Sequence, residues 1–356
     1  MEFSLFYFAD TGSSTDNRYR LLIEGAKFAD THGFSAVWTP ERHFHQFGGL
    51  YPNPAVTGAA LATVTERVAI RAGSVVSPLH HPARIAEEWS VVDNLSNGRA
   101  GISLASGWNA VDFTLRPENY ARNKDVLLET VDTVRRLWRQ EAVAFTDGSG
   151  GTSRIRIFPP PVRPELPLWL TSAGSEETFR QAGALGTGLL THLLGQDLDE
   201  LAKKIALYRQ SYVSPVGDPE DRGHVALMLH TFIGEDRDEV RETVREPFSA
   251  YLRSSIGLFK RAVAADMPGV DLDRLTPADV QFLVSHAFDR FFDDGGLFGT
   301  VADGLRTVER LGSIGVDDIA CLIDFGVPAP LVLDGLDRLD RLRLARQAAE
   351  ADRTGR

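Results

Sequence analysis

A single (β/α)8 TIM barrel with insertions, in the α/β class, is the fold that this 356-residue sequence predicts. Two observations lead there. Short apolar runs of strand length alternate with amphipathic stretches of helix length almost from end to end, the mark of repeated βα units. Eight such units follow one another without a linker, the number that closes a parallel sheet on itself. In order, the strand candidates are Phe3–Phe8, Ala36–Thr39, Val68–Val76, Ala100–Ala105, Leu168–Ser172, Gly188–Thr191, Val225–Phe232 and Asp318–Ile323. Of the helices, Ile85–Leu95 is stopped by the left-handed signal Asn97-Gly98, and Lys124–Trp138 repeats apolar residues at Val126, Leu127, Val131, Val134 and Leu137.

Residues 1–350 form one domain on this reading, with two interruptions and a frayed tail at 351–356. Between 141 and 167 a Gly/Ser-rich turn, a short strand pattern at Arg154–Phe158 and the run Pro159-Pro160-Pro161 read as a hairpin excursion with a stiff return. From about 254 to 299 extends a stretch with scattered apolar residues, among them Phe282, Phe288, Phe291 and Phe292. An insertion of that length on a barrel makes either a lid or peripheral packing.

Composition narrows the function. A content of 43% hydrophobic residues supports a large core, and a net charge of −11 opposes general binding to a phosphate backbone, which is built from Lys and Arg. Small-molecule chemistry is the better expectation, with no nucleic acid and no membrane partner. The lone Cys321, in an apolar run, cannot form an internal disulfide or a thiolate cage and is expected in the core. No apolar run reaches the length of a membrane span, and the amino terminus enters a strand without a basic leader; a cytoplasmic location is expected.

The chemistry-bearing run is Thr39-Pro40-Glu41-Arg42-His43-Phe44-His45, directly behind the second strand. Imidazole titrates near neutrality and guanidinium is a fixed cation, so this loop suits proton transfer or the stabilisation of an oxyanion. The plainer alternative is a polar loop whose groups satisfy one another, and position at a strand's carboxyl end favours function for His43. No companion cluster of ligands follows downstream, so no metal is expected. Gly73 and Ser74 place small residues inside a buried strand, where something flat can approach the backbone, or where a bulge simply packs. Ala105, Ser106 and Gly107 lead another strand into the π surface of Trp108. Gly174, Ser175 and Thr178 stand where a strand delivers its chain to a helix start, which is either a phosphate cradle or an ordinary cap. No Gly-x-Gly-x-x-Gly follows the first strand and no Gly-x-Ser-x-Gly elbow occurs, which removes a standard dinucleotide site and a serine hydrolase.

Taken together, the segments Trp38–Phe44, Ser77–Pro82, Val91–Arg99, Ala105–Trp108, Thr171–Gly174 and Gly312–Gly326 resemble the bacterial luciferase-like flavin-dependent monooxygenases, in order and spacing across nearly the whole chain. The likeness is greatest to the branch found in secondary-metabolite clusters. It implies a luciferase-like barrel that binds reduced FMN (FMNH2) at the carboxyl ends of the strands and takes O2 as co-substrate, through a flavin C4a-peroxide. It further implies a cis peptide at Gly73–Ser74 against the flavin, a lining from Ala105, Ser106 and Gly107, and a phosphate held by Gly174, Ser175 and Thr178. Arg122, preferred to Lys124 for its bidentate geometry, is the expected phosphate cation. His43 is assigned to acid–base work, Arg42 to a substrate carboxylate or carbonyl, and Trp108 to the pocket wall. In the luciferases proper a histidine stands at the position of Arg42, so light emission is not expected.

The same resemblance implies hydroxylation of a secondary-metabolite intermediate, free or tethered to a carrier protein, with reduced flavin supplied by a separate reductase and the chain a homodimer. Two rivals share the fold: deazaflavin-dependent hydride transfer, which turns over without oxygen, and a non-catalytic flavin-binding protein.

Overall fold

The computed structural model describes residues 1–8, 17–46, 48–254 and 276–354. All eight expected strands form and close a parallel barrel. They are β1 (Glu2–Tyr7), β2 (Ala36–Thr39), β3 (Ala69–Val76), β4 (Ala100–Ala105), β7 (Leu168–Ser172), β8 (Gly188–His192), β9 (Val225–Ile233) and β11 (Asp318–Asp324). Neighbours run β1-β2-β3-β4-β7-β8-β9-β11, and β11 returns to β1 with Leu5 opposite Cys321. Alternate residues of each strand point inward and the rest meet the surrounding helices, so strands buried on both faces read as continuous apolar runs. The central strands Ile319–Leu322 are fully enclosed, and Cys321 is a buried free thiol.

The helices around the barrel are α1 (Arg20–His32), α2 (Pro54–Ala62), α3 (Pro82–Ser96), α4 (Asn123–Trp138), α5 (Glu176–Ala184), α6 (Leu198–Ser211), α7 (Arg237–Ser254), α8 (Pro277–Arg290), α9 (Val301–Ser313) and α10 (Ala329–Thr354). Their ends follow local chemistry. Pro82 opens α3 at a position that needs no N–H, His81 Nδ1 accepts from the Ala83 amide, and Asn97 at φ 57° ends the helix. Reciprocal capping boxes start α8 (Thr276 with Asp279) and α9 (Thr300 with Asp303). The tail expected to fray continues the register of α10 as far as Thr354, and residues 355 and 356 lie outside the described residues.

Both interruptions are present. The excursion is a hairpin of β5 (Val143–Thr146) and β6 (Thr152–Ile155), which begins and ends earlier than the expected Arg154–Phe158 run. Ile157 leaves the ladder to fill a small core with Ala83, Ala86, Leu137 and Val143, and a cis Phe158–Pro159 bond starts the return. Of the insertion, 255–275 lies outside the described residues. The remainder packs on the barrel: Phe288, Phe291 and Phe292 are buried, while Phe282 is exposed. Phe248 of α7 holds this group to Phe298 on β10 (Leu297–Gly299), which pairs with the last three residues of β9. Among the described residues no helix is long and apolar enough to cross a membrane.

Candidate active site at the carboxyl end of the barrel

The strand ends and the loops that leave them enclose a cavity of about 240 Å3. Gly73, Ser74 and Val76 of β3 and Ala105, Ser106 and Gly107 at the end of β4 make one wall. Close packing explains the first glycine, because a Cβ there would fall 2.5 Å from the Phe6 ring. The Gly73–Ser74 peptide is cis. Beneath this wall the hydroxyls of Ser74 and Ser103 both meet Thr171 Oγ1, at 2.5 and 2.6 Å, so three small polar side chains satisfy one another.

Charge enters from the loop after β2. Glu41 is buried and its acceptors are filled: Oε1 receives His43 Nε2 at 2.8 Å and His80 Nε2 at 2.6 Å, and Oε2 receives the Val76 amide at 2.7 Å. Burial pushes the Glu41 carboxyl up, but the hydrogen bonds from His43 and His80 outweigh it and hold the group below the usual carboxylate range. For His80, burial favours the neutral ring, yet its bond to Glu41 prevails and raises it. The neighbouring Arg42 donates from a terminal guanidinium nitrogen to Asp112 at 2.9 Å and lies 4.9 Å over the Trp108 ring. Asn109 Nδ2 donates to the other oxygen of Asp112 at 2.7 Å. Arg42 lines the cavity, and its buried Nε has no partner among the described residues.

At the β7 side, Ala173 lines the cavity and the chain then turns through Gly174 at φ 113° into α5. Ser175 caps that helix by accepting from the Thr178 amide. Lys204 on α6 reaches the same turn: a Cβ on Gly174 would lie 3.4 Å from its ammonium, which donates to Gln196 at 3.0 Å. A helix start, two hydroxyl-bearing residues and a half-buried cation at one turn can hold a phosphate.

Of the residues singled out from sequence, Arg42, Gly73, Ser74, Ala105, Ser106, Gly107 and Trp108 line the cavity. His43 does not; it reaches the cavity through Glu41. Gly174, Ser175 and Thr178 form the adjoining turn. Arg122 does not line the cavity; its guanidinium is exposed and pairs with Glu129 of α4 at 2.6 Å. Arg42 is likewise not free for a carboxylate, since Asp112 already holds it. Sequence reading missed Lys204, Asp112, His192 and Tyr251. Lys204, Asp112 and Tyr251 lie on helices or a turn whose contact with the strand ends appears only on folding; for His192, at the end of β8, position alone gave a signal.

The sequence profile of the luciferase-like monooxygenases matches residues 1–310. The chain belongs to that family. Luciferase-like monooxygenases are flavin-dependent oxidoreductases, and the mouth described above is where such a barrel keeps its chemistry. Among relatives, the chain is 28% identical over 257 residues to the oxygenase component of the flavin-dependent trigonelline monooxygenase of Acinetobacter baylyi, covering 69% of each. Two solved luciferase-like barrels show the same fold. Monooxygenase RslO1 of Streptomyces bottropensis superposes with a TM-score of 0.78 at 23% identity, over 98% of this chain and all of that one. The oxygenating constituent of the 3,6-diketocamphane monooxygenase of Pseudomonas putida, in complex with FMN, gives 0.71 at 19% identity, over 94% and 97%.

Proposed function

We propose that this luciferase-like monooxygenase uses reduced FMN and O2 to hydroxylate an intermediate of secondary metabolism. The observation that carries the reading is the small-residue wall of Gly73, Ser74 and Ala105–Gly107 in a cavity that reaches Ala173, the residue before the turn where Gly174, Ser175 and Lys204 meet. That path offers a flat apolar seat for a ring and a cationic, amide-rich turn for a phosphate. When bound, the flavin supplies the activation of O2; two electrons from it send one oxygen atom to product and the other to water.

The residues of this chain then orient and move protons. Glu41 is a carboxylate that touches the cavity, with His43 and His80 both donating to its Oε1. The two Nε2–H groups hold Glu41 as a carboxylate, the form that can accept a proton at the mouth, which makes His43 a positioning partner. Arg42, fixed by Asp112 and stacked on Trp108, offers its free Nε–H to a neutral oxygen. Replacing His43 with Ala lowers oxygenated product about tenfold or more.

The site shows no Gly-rich nicotinamide fingerprint in sequence, so reduced flavin comes from a separate reductase. The chain acts as a homodimer on this reading, and α2 and α3 leave Val56, Val91 and Leu95 exposed on the early helices. The substrate is free or carrier-tethered, which separate mass-spectrometric assays of the two forms distinguish. The experiment that tests the whole reading incubates the protein with chemically reduced FMN, isotopically heavy O2 and extract of the producing cell. A product heavier by one labelled oxygen atom is expected; turnover only under anaerobic conditions with reduced deazaflavin refutes it.

A further inference from the structure

The wall that faces Gly73 and Ser74 takes no part in the chemistry above. β9 stands four strands from β3 whichever way the barrel is followed, so the two are opposed across the mouth. From this far wall His192 at the end of β8, Met228 on β9 and Tyr251 on α7 line the cavity. His230 lies two residues beyond Met228 on the same face of β9, with Phe248 and Tyr251 ring centroids 4.6 and 4.5 Å away. Only 3% of it is exposed, and its Nε2 has no hydrogen-bond partner among the described residues.

Both imidazoles are neutral at physiological pH. Burial pushes His192 down to about 4, and burial together with the nearby His192 pushes His230 down to about 3. The Leu194 amide donates to His192 Nδ1 at 3.1 Å, so the neutral ring carries its hydrogen on Nε2 and is a donor there. Leu190, Leu194 and Met228 fill the surroundings. The charged groups of the lining are Glu41, Arg42 and Asp112, and each is already compensated, by the two histidines or by the other member of the arginine–aspartate pair. A charged substrate group would be desolvated here without an opposite charge to meet it.

We infer that the substrate is an uncharged, mainly apolar molecule carrying a hydrogen-bond acceptor such as a carbonyl or ether oxygen, bound on the β8–β9 wall. His192 is the donor. The inference deepens the proposed function and rests on the opposite wall being the flavin seat.

The full chain, alone and with FMN, is offered cyclohexyl methyl ketone and its near-isosteric anion cyclohexanecarboxylate, with binding read by saturation-transfer NMR. The ketone is expected to bind about tenfold more tightly than the carboxylate. His192→Leu should weaken the ketone about fivefold while leaving the carboxylate as it was. His192→Arg, which puts a fixed cation on the same wall, should reverse the preference. The melting temperature confirms that each variant is folded. Equal or tighter binding of the carboxylate, binding of neither probe, or an undiminished ketone in folded His192→Leu overturns the inference. Quenching of FMN fluorescence by the wild-type protein is measured separately. Its absence removes the flavin reading, whereas the ketone-to-carboxylate contrast is read on the protein without FMN.

Discussion

At the amino-terminal floor of the barrel, Arg71 pairs with Asp318 at 3.2 Å, while at the carboxyl-terminal mouth Arg42 pairs with Asp112 at 2.9 Å. The chemistry of the two pairs is the same and their surroundings differ. The Arg71 guanidinium lies 4.9 and 4.6 Å from the ring centroids of Trp38 and Trp169, and Ser4, itself bonded to Trp38, donates to the second oxygen of Asp318 at 2.9 Å. Trp169 also donates to His224 Nδ1 at 3.0 Å, which keeps the ring hydrogen on Nε2 toward Glu2. Glu2, His224 and Asp318 lie close enough to suggest a metal site, but a ring so protonated offers no lone pair there. The mouth pair has one aromatic face, Trp108, and its other side lines the cavity. A charged pair between aromatic planes serves stability; the same pair beside open space is available to a ligand.

Breaking the floor should cost the most. Asp318→Asn strands a buried cation that cannot shed its proton, and a loss of about 3–5 kcal/mol by denaturant titration is expected. Arg71→Leu should cost less, because burial already pushes the Asp318 carboxyl up and it can take a proton. If Arg71→Leu proved the more damaging, the floor would not be a stability device of this kind. At the mouth the balance inverts: Glu41→Gln should lower product formation about 100-fold while changing stability less than the floor variants do. The phosphate turn gives a smaller effect, with Lys204→Ala weakening FMN about tenfold and Arg122→Ala leaving it unchanged in fluorescence titration.

Two pH dependences sharpen the contrast further. Glu41 is lowered from 4.5, so its contribution is present above that value and is lost as pH falls through the folded value. His80 is raised from 6.5, so its contribution is present below that value and disappears as pH rises through the folded one. The stability difference between wild type and Glu41→Gln should therefore be widest between 4.5 and 6.5 and shrink on both sides. A further pH effect is expected at Asp324, where burial, opposed by the Tyr51 hydroxyl at 3.0 Å, holds the carboxyl up to about 7. A raised carboxyl destabilises as it ionises, so Asp324→Asn should gain melting temperature over wild type at pH above 7 and lose that gain in acid.

The barrel was legible because its strands are enclosed on both faces, which writes each of them as a bare apolar run such as Ile319–Leu322. The half of the site carried on strand ends and their loops was legible for a related reason: Glu41, Gly73 and Ala105–Gly107 follow directly from those runs. Groups that arrive sideways were not. Lys204 sits mid-helix on α6, Asp112 in a short turn after β4, and Tyr251 on α7, with spacings that record only their own elements. Arg122 illustrates the converse, since a motif can place a residue near a site while Glu129, about two turns along, pairs with its charge. Arg71 and Asp318, far apart in sequence, gave no sign of one another.

The pairing of β10 with β9 has a consequence for engineering the chain. Residues Thr231–Ile233 outrun both barrel neighbours of β9, whose pairings stop at Met228 and His230, and among the described residues it is Leu297–Gly299 that pairs with them. Excising that three-residue staple to simplify the insertion would bare a row of amides and carbonyls beside a phenylalanine-rich surface. Such a shortened chain would recruit strands from its neighbours and precipitate, so a trimmed variant should keep Leu297–Gly299 or replace it with a charged or proline-bearing guard.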